Sequence, residues 1–488
     1  MSETRATVAG IAVATGHYIG GEWVDSSTSF EDHSPLDWNI ILARVSRGGA
    51  PEAARAVDAA LAAFPAWSAL GPEGRAPYLH RLADLIDRDV ERLAAVECLD
   101  MAMLEESLRQ RVIGRGARNF RAYADLAVDY VPRRWDSQGT HNTVLRMPAG
   151  PTVVITPWNA PFMLATWKCA PALAAGNTVI LKPAEWSPLS AAMLMDLADE
   201  AGFPPGVLNL VQGYGNEAGA ALVGDERVRR ISFTGSPETG RVIGRVAADH
   251  LVPFTAELGG KGPLIVLDDA DLDAAALTAS RMYDDAGQVC LAGTRLLVQA
   301  SVRDEFVARV TAAAAALVPG DSRLALTTLS PLIHPDHLAR VDGFVTRARE
   351  AGDHVLFGGV RWRPDGLWYE PTLIEPHGND AEIVQHEVFG PVLTVQTFGD
   401  DAEAAALANS TPYGLSAIVY TSSRERADAL GAALRAGTVW VNTFLVRDLT
   451  APFGGIGISG LGREGGNYAL DFYSDLKTYQ VREGTTHG

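Results

Sequence analysis

Apolar and polar residues along this chain of 488 residues follow one pattern before residue 148 and another after it. Before that point apolar residues recur every three or four positions, which predicts helices over 51–67, 75–88, 90–104 and 119–130. After it, short apolar runs alternate with helical segments at the spacing of βαβ units. This alternation predicts an α/β fold with an open, mainly parallel sheet and helices on both of its faces.

A second α/β unit of the same kind is predicted from residue 263 onward. Its strands are predicted at 264–267, 295–299, 392–398, 417–420 and 438–442, and Asp271 is predicted to cap the helix that leads to Cys290. Residues 17–24 read as a small hairpin whose turn is Gly20–Gly21. The alternating segment 140–147 predicts an exposed strand or arm. Segment 476–481 predicts an edge strand that pairs with another subunit or domain.

Composition narrows the class of partners. Hydrophobic residues make up 47% of the chain and charged residues 20%, so a large packed core is expected. The formal net charge of −18 argues against nucleic acid or an anionic membrane as a main partner. An anionic small substrate stays open, because local arginines can hold one.

Cysteine usage and the N-terminus indicate a compartment. The chain has three cysteines, no CxxC and no His-rich spacing, so neither a disulfide framework nor a zinc or other metal site is predicted. Residues 1–16 lack a basic start followed by an apolar block, and no run of 18 apolar residues occurs. We therefore expect no signal peptide, no membrane span and a cytoplasmic location.

One of the three cysteines lies on a turn. Cys290 is flanked by Gly287 and Gly293, between a predicted helix and a predicted strand, where a thiol can face a cleft. A free thiol has a pKa near ~8.5, so a nucleophilic cysteine needs a cation, a helix N-terminus or a base nearby. The alternative is a buried inert cysteine, which fits Cys98 and Cys169 in their apolar helical patterns.

Polar side chains follow several predicted strands, at the sheet edge where open α/β folds bind ligands. Asn159 is either an amide donor for a ligand or a helix cap. Lys182 and Glu185 either hold the hydroxyls of a ribose or form a surface salt bridge, and a carboxylate there favours NAD over NADP. Glu257, followed by two glycines, is either a general base for a water molecule or an acceptor for loop amides.

Two further segments suit a dinucleotide. The small-residue turn from Gly235 to Gly240 opens a helix, where free N–H groups and the helix dipole attract a phosphate. Further along the chain, Glu387 could bind a second ribose and Phe389 could press on a flat ring.

Seven motifs in one order carry a resemblance to a known family. TPWNAPF, LKPAE, FTGSPETG, ELGGK, GQVC, HEVFGPV and PFGG with SG and GRE resemble the aldehyde dehydrogenase superfamily over almost the whole chain. The resemblance implies an NAD-binding domain (1–134 and 148–258) and a catalytic domain (259–443). It also implies an oligomerisation arm (135–147 and 467–488), reached through a returning loop (444–466), and hence a homodimer or homotetramer.

The same resemblance assigns roles. Cys290 would be the nucleophile, Glu257 the general base, and Asn159 with the Cys290 amide the oxyanion hole. The cofactor would be NAD, with NADP disfavoured. Its contacts would come from Thr156, Trp158, Lys182, Glu185, Gly235, Ser236, Gly240, Glu387 and Phe389.

The tail resembles the branch that oxidises muconate-type semialdehydes, which carry a carboxylate at the far end. Arg121 and Arg447 could clamp that carboxylate, because guanidinium groups bind it in a bidentate manner. Alternatively, Arg121 is a solvated helix residue and Arg447 pairs with Asp448. The alternative functions are a broad aldehyde dehydrogenase for neutral aromatic or aliphatic aldehydes and, in another class, an inactive structural relative.

Overall fold

The computed structural model describes residues 5–482 and 484. Its strands, in chain order, are β1 (Arg5–Val8), β2 (Ile11–Ala14), β3 (His17–Ile19), β4 (Glu22–Val24), β5 (Ser29–Ser34), β6 (Asp37–Ser46), β7 (Arg134–Ser137), β8 (Thr140–Pro148), β9 (Thr152–Ile155), β10 (Val179–Lys182), β11 (Leu208–Leu210), β12 (Arg230–Thr234), β13 (Phe254–Glu257), β14 (Pro263–Val266), β15 (Arg295–Gln299), β16 (His354–Phe357), β17 (Thr372–Glu375), β18 (Val392–Phe398), β19 (Ser416–Tyr420), β20 (Thr438–Val441), β21 (Gly460–Leu461) and β22 (Ser474–Arg482).

The helices, in chain order, are α1 (Ala50–Ala69), α2 (Gly71–Arg88), α3 (Val90–Met101), α4 (Glu105–Ser107), α5 (Gly114–Val128), α6 (Pro161–Ala174), α7 (Leu189–Glu200), α8 (Ala220–Val223), α9 (Pro237–Asp249), α10 (Leu272–Ser280), α11 (Arg303–Ala315), α12 (Pro335–Glu350), α13 (Glu382–Gln385), α14 (Asp401–Ala408), α15 (Arg424–Ala433) and α16 (Gly466–Phe472). Within residues 5–482 and 484, no helix has both the length and the apolar character needed to cross a membrane.

Two large sheets organise the chain. The first has the order β21-β13-β12-β9-β10-β11-β3-β4, and its five central strands are parallel. The second has the order β16-β17-β18-β15-β14-β19-β20, with β16 as its only antiparallel strand among those described. The predicted α/β fold with mainly parallel sheets is therefore confirmed.

Alternation along the central strands explains why both faces of each sheet are covered. Successive side chains of a strand point to opposite faces. Val154 packs in the core cluster under α6 and α7, whereas its neighbour Val153 packs in the cluster under α1 and α9. In the second sheet, Leu264 and Ile265 divide in the same way.

A third, antiparallel sheet has the order β22-β8-β7 and joins residues from two distant parts of the chain. Strand β22 pairs with β8 along its whole length, from Ser474 opposite Pro148 to Arg482 opposite Thr140. The predicted edge strand at 476–481 thus finds a partner within the same chain. The other edge of β22 has no partner strand among the described residues.

Some elements differ from the hydrophobic pattern. The hairpin at 17–24 is confirmed, with Tyr18 opposite Trp23, but the pattern gives no prediction for β5, β6 or α12. Helix α5 begins at Gly114 and not at residue 119. Glycine has a low helix propensity, so Gly114 and Gly116 make the first turn of α5 hard to predict from the sequence. A Cβ at Gly116 would lie 2.7 Å from the Phe162 ring, so glycine lets α5 approach α6.

Candidate active site

The carboxyl ends of β9, β10, β12 and β13 lie along one edge of the first sheet, because these strands are parallel. The motifs that the sequence singles out follow directly after these ends. The amide of Gly235 donates to the carbonyl of Glu257 at 3.1 Å, so the glycine turn and the glutamate are neighbours.

The turn that carries Cys290 has an unusual backbone. Asp285, Ala286 and Gly287 are all left-handed, with φ of 52°, 55° and 71°. A Cβ on Gly287 would overlap the carbonyl oxygen of Gly390, so only glycine fits there. The Gln288 side chain ties the turn down: its amide donates to the Asp285 carbonyl at 3.0 Å, and its oxygen accepts from the Ile333 amide at 3.0 Å.

Asn159 lies against this turn. Its Nδ2 donates to the carbonyl of Gln288 at 2.8 Å, two residues before the cysteine. The helix-cap alternative does not describe it, because α6 has Ala160 at its N-cap and no side-chain cap. The structure therefore brings Asn159 and the Cys290 turn together, as the proposed oxyanion hole requires.

Glu257 ends β13 and is buried. Neither of its carboxylate oxygens has a hydrogen-bond partner among the described residues, so the loop-amide alternative does not describe it. Burial raises the pKa of Glu257 well above its usual range, and the negative charge of Glu464 raises it further. A buried carboxyl without partners has free lone pairs for a water molecule, at the cost of holding its proton more tightly.

Beside Glu257 lies a buried ion pair whose role the sequence did not indicate. Lys168 Nζ lies 2.5 Å from Glu464 Oε1, and the indole N–H of Trp167 donates to Glu464 Oε2 at 2.5 Å. Glu464 stands within the last of the seven motifs, so its position in that motif was the available signal.

Cys290 is half-buried, whereas Cys98 and Cys169 are fully buried, and all three are free. Burial raises the pKa of the Cys290 thiol to about 12, and the charges of Glu387 and Glu257 add to this, while Arg447 lowers it. Because burial holds this pKa above its usual range, a reaction at the sulfur needs a group that takes the proton.

Lys182 and Glu185 form an ion pair at the end of β10, with Nζ 3.1 Å from Oε2. Lys182 is 2% exposed, so this is not a surface salt bridge. Burial lowers the pKa of Lys182, and the Glu185 carboxylate opposes that shift. Glu185 remains partly exposed and can accept further hydrogen bonds.

The turn from Gly235 to Gly240 opens α9. Ser236 is the N-cap: its hydroxyl accepts from the Thr239 amide at 3.2 Å, and Pro237 occupies the first helical turn. A Cβ on Gly240 would lie 2.8 Å from the Leu258 side chain, so glycine lets α9 pack against the segment after Glu257.

Glu387 and Phe389 reach the same edge from the second α/β unit. Glu387 Oε1 accepts from the Gly260 amide at 2.7 Å, and a Cβ on Gly260 would overlap the Cys290 carbonyl oxygen. The Phe389 ring meets Trp158 edge to face, with centroids 5.3 Å apart.

On the other side of Cys290 lies a group that we call the arginine–aromatic cluster: Arg115, Trp167, Arg447 and Phe453. The Arg447 guanidinium lies 3.6 Å from the centre of the Phe453 ring and 5.6 Å from that of Trp167. Arg115 lies 5.6 Å from the Trp167 ring and, among the described residues, donates a hydrogen bond only to Asn119, at 3.2 Å. Within residues 5–482 and 484, neither arginine forms an ion pair with an acid.

Arg121, the other arginine expected in the clamp, lies elsewhere. It donates to Asp84 and Asp87 at 2.6 Å each, on the side of α5 that packs against α2. The structure thus brings Arg115, not Arg121, towards Arg447. The alternative pairing of Arg447 with Asp448 is also absent within the described residues. The Asp448 carboxylate instead accepts hydrogen bonds from the amide and hydroxyl of Thr450.

Comparison with known proteins shows which family the chain is similar to. The family model for the aldehyde dehydrogenase family matches residues 23–479. The 2-hydroxymuconic semialdehyde dehydrogenase of a Pseudomonas species is 40% identical over 481 residues, covering 96% of this chain and 99% of the relative.

Solved structures agree with this placement. HpcC from Thermus thermophilus shares 42% identity with a TM-score of 0.94, covering 99% of this chain and 98% of its own. Betaine aldehyde dehydrogenase from Staphylococcus aureus, solved in complex with NAD+, shares 36% identity with a TM-score of 0.94, covering 97% and 96%.

The chain belongs to the aldehyde dehydrogenase family. The resemblance on which the sequence motifs depended is therefore confirmed, and the chain is an oxidoreductase that acts on a small aldehyde.

Proposed function

We propose that this protein oxidises an aldehyde that carries a carboxylate, of the muconate semialdehyde type, to the corresponding acid with NAD as acceptor. One observation supports the substrate class most directly. Arg447 and Arg115 approach the same Trp167 ring, and neither forms an ion pair with an acid within the described residues.

Two cations so placed repel one another and lose hydration. Burial lowers the pKa of Arg115 to about 10, and the charge of Arg447 lowers it further. A carboxylate between them would pair directly with both charges and accept forked hydrogen bonds. The aromatic rings of Trp167 and Phe453 would pack against the carbon chain that joins the carboxylate to the aldehyde.

The geometry supports the following reacting groups. Cys290 attacks the aldehyde carbon, and Asn159 with the Cys290 amide stabilises the oxyanion that forms. Such donors contribute on the order of 10²–10³ in rate each. Glu257 takes a proton from water when the thioester is hydrolysed, for which its two unpartnered oxygens are suited.

The residues at the sheet edge fit a dinucleotide. The hydroxyls of Thr156 and Thr234, at or just beyond the ends of adjacent strands, are buried without hydrogen-bond partners among the described residues. The positive end of the α9 helix dipole lies next to them, at the residues that follow Thr234. Glu185 offers a carboxylate to a ribose and would repel a 2′-phosphate, which favours NAD over NADP. NAD, when bound, supplies the hydride acceptor.

The names of two relatives support this proposal from outside the structure. One is the 2-hydroxymuconic semialdehyde dehydrogenase at 40% identity, and the other is the betaine aldehyde dehydrogenase with bound NAD+.

The test is a panel of semialdehyde acids and neutral aldehydes of similar size, followed by NADH absorbance in the wild type and in Arg447→Gln and Arg115→Gln. We expect KM for the acids to rise about 10- to 100-fold in either variant, because hydrogen bonds to charged groups are worth ~1.5–3 kcal/mol. Neutral aldehydes should change less than about threefold. Equal losses on both classes would favour a broad aldehyde dehydrogenase instead.

The assembly is part of the same proposal. Leu476 and Tyr479 on β22 are 59% and 53% exposed, on a sheet edge without a partner strand in the described chain. An exposed apolar edge of this kind suits a subunit contact, so we expect a homodimer or homotetramer. Light scattering during gel filtration measures the mass, and a monomer at micromolar concentration would contradict this part.

Three free cysteines fit the reducing cytoplasm.

A further inference from the structure

Within the described residues, the Glu387 side chain forms one hydrogen bond, which it accepts from the Gly260 amide at 2.7 Å. The next residue, Lys261, is 2% exposed, and its Nζ has no hydrogen-bond partner among the described residues. A buried amine without a partner is costly, because an ammonium loses its hydration without compensation. The charge of a neighbouring acid, Glu387, favours the Lys261 ammonium and offsets part of this cost.

The other two cations near Glu387 donate hydrogen bonds to backbone carbonyls. Arg340 donates to the backbone carbonyls of Glu387 and Val388. Arg295 donates to three carbonyls, of Lys261, Leu407 and Ala408, at 2.7–2.9 Å. Of the three cations, only Lys261 has no hydrogen-bond acceptor at all within the described chain.

We propose that Lys261 is the counter-charge that keeps the Glu387 carboxylate ionised when it leaves the Gly260 amide to bind a ribose of NAD. Lys261 is then a positioning residue, acting on the cofactor only through Glu387. This inference rests on the proposed function for the identity of the cofactor.

The electrostatics agree with the geometry. Burial raises the pKa of Glu387 to about 7, and the Gly260 amide, Arg340 and Lys261 lower it. Burial lowers the pKa of Lys261 to about 7; Arg295 and Arg340 lower it further, and Glu387 raises it.

Other titratable groups also face Glu387. Glu238 from α9 raises its pKa, while Cys290 and Tyr413 have their own pKa values raised by the Glu387 charge. Since Lys261 lowers the pKa of Glu387 and Glu238 raises it, removal of the Lys261 charge should move that pKa upward. Binding of NAD, which needs the carboxylate, should then require a higher pH.

The experiment measures NAD binding to the full protein by calorimetry between pH 6 and 9, without aldehyde. The variants are Lys261→Met, Lys261→Arg, Glu387→Gln and the Lys261→Met/Glu387→Gln double variant. At pH 7 we expect Lys261→Met to weaken binding about tenfold and to move the pH midpoint of binding about one unit upward. Lys261→Arg, which keeps the charge, should stay within about threefold of the wild type.

The double variant separates this role from general packing. In the Glu387→Gln background, Lys261→Met should change the Kd less than about twofold, because no carboxylate remains to be ionised. An equal loss in both backgrounds, or an unchanged pH profile in Lys261→Met, would overturn the proposal. If Lys261→Met does not fold, Lys261→Gln takes its place, and melting temperatures show whether each variant is folded. A wild type that binds no NAD would instead refute the proposed function.

Discussion

The two sides of Cys290 are built in different ways. On the cofactor side, the groups of the first sheet lie at or just after the ends of parallel strands, and neighbouring strands place Lys182, Gly235 and Glu257 along one edge. On the substrate side, the arginine–aromatic cluster comes from α5, α6 and the loop after β20, and no sheet register relates these segments.

The difference has a physical consequence. Strand register fixes the cofactor side through backbone hydrogen bonds and glycines that permit close approach, such as Gly260 against the Cys290 carbonyl. The substrate side is held by side-chain packing around two cations. A substitution on the substrate side should therefore alter selectivity without loss of NAD binding, whereas the catalytic groups between the two sides should affect every substrate.

The largest expected effect separates chemistry from binding. Cys290→Ser should lower kcat at least ~10³-fold for all aldehydes, because the thiolate is the nucleophile. Calorimetry should show NAD affinity within about threefold of the wild type, since the strand ends are untouched. Cys98→Ala, which removes a buried thiol remote from the sheet edge, is the matched control and should retain activity. A serine variant with more than a tenth of wild-type activity would be incompatible with the assigned nucleophile.

The next effect concerns the second half-reaction. Glu257→Gln should give one burst of NADH per active site, followed by turnover slowed about 10²–10³-fold, because base catalysis of this kind contributes 10²–10⁴. The raised pKa of Glu257 means that the base form increases with pH. Wild-type kcat for thioester hydrolysis should thus rise with pH through that raised pKa, and the rise should vanish in the glutamine variant. Rapid-mixing measurements check both; steady turnover without a burst would argue against the base assignment.

A smaller effect tests whether the substrate side also influences the thiol. Arg447 lowers the pKa of Cys290, so Arg447→Gln should raise it and slow the alkylation of that sulfur by iodoacetamide about two- to fivefold at pH 9. Mass spectrometry of the labelled peptide measures the rate. Arg115→Gln is the comparison, since Arg115 is not among the charges that act on Cys290. A faster reaction in Arg447→Gln would contradict the electrostatic assignment.

The smallest expected effect is at Arg121. Because its pairs with Asp84 and Asp87 are largely exposed, Arg121→Gln should change the free energy of unfolding by no more than about 1 kcal/mol. KM should be unchanged for both acids and neutral aldehydes. A selective rise in KM for the acids, equal to that in Arg115→Gln, would restore Arg121 to the clamp and remove the distinction between the two faces of α5.

Some contacts of the site need nothing beyond local pattern. Short apolar runs that alternate with helical segments predicted the parallel strands. The turn after each run held functional groups, because a strand end and the helix that follows it are neighbours in sequence. Asp271 was likewise predicted as a cap, and its carboxylate accepts from the Ala274 amide at 3.0 Å. Motif order sufficed for the family, since it needs no three-dimensional information.

The sequence alone thus determined the α/β architecture, the family and the strand-end groups around Cys290. Only the tertiary structure decided which arginine of α5 approaches Arg447. Arg115 and Arg121 are six residues apart, about 120° around a helix, so they face different neighbours, and α6 and the loop after β20 decide which face meets the site. Likewise, Lys261 became notable only when the fold had buried its amine and left it without a partner, because burial is a property of the packed chain.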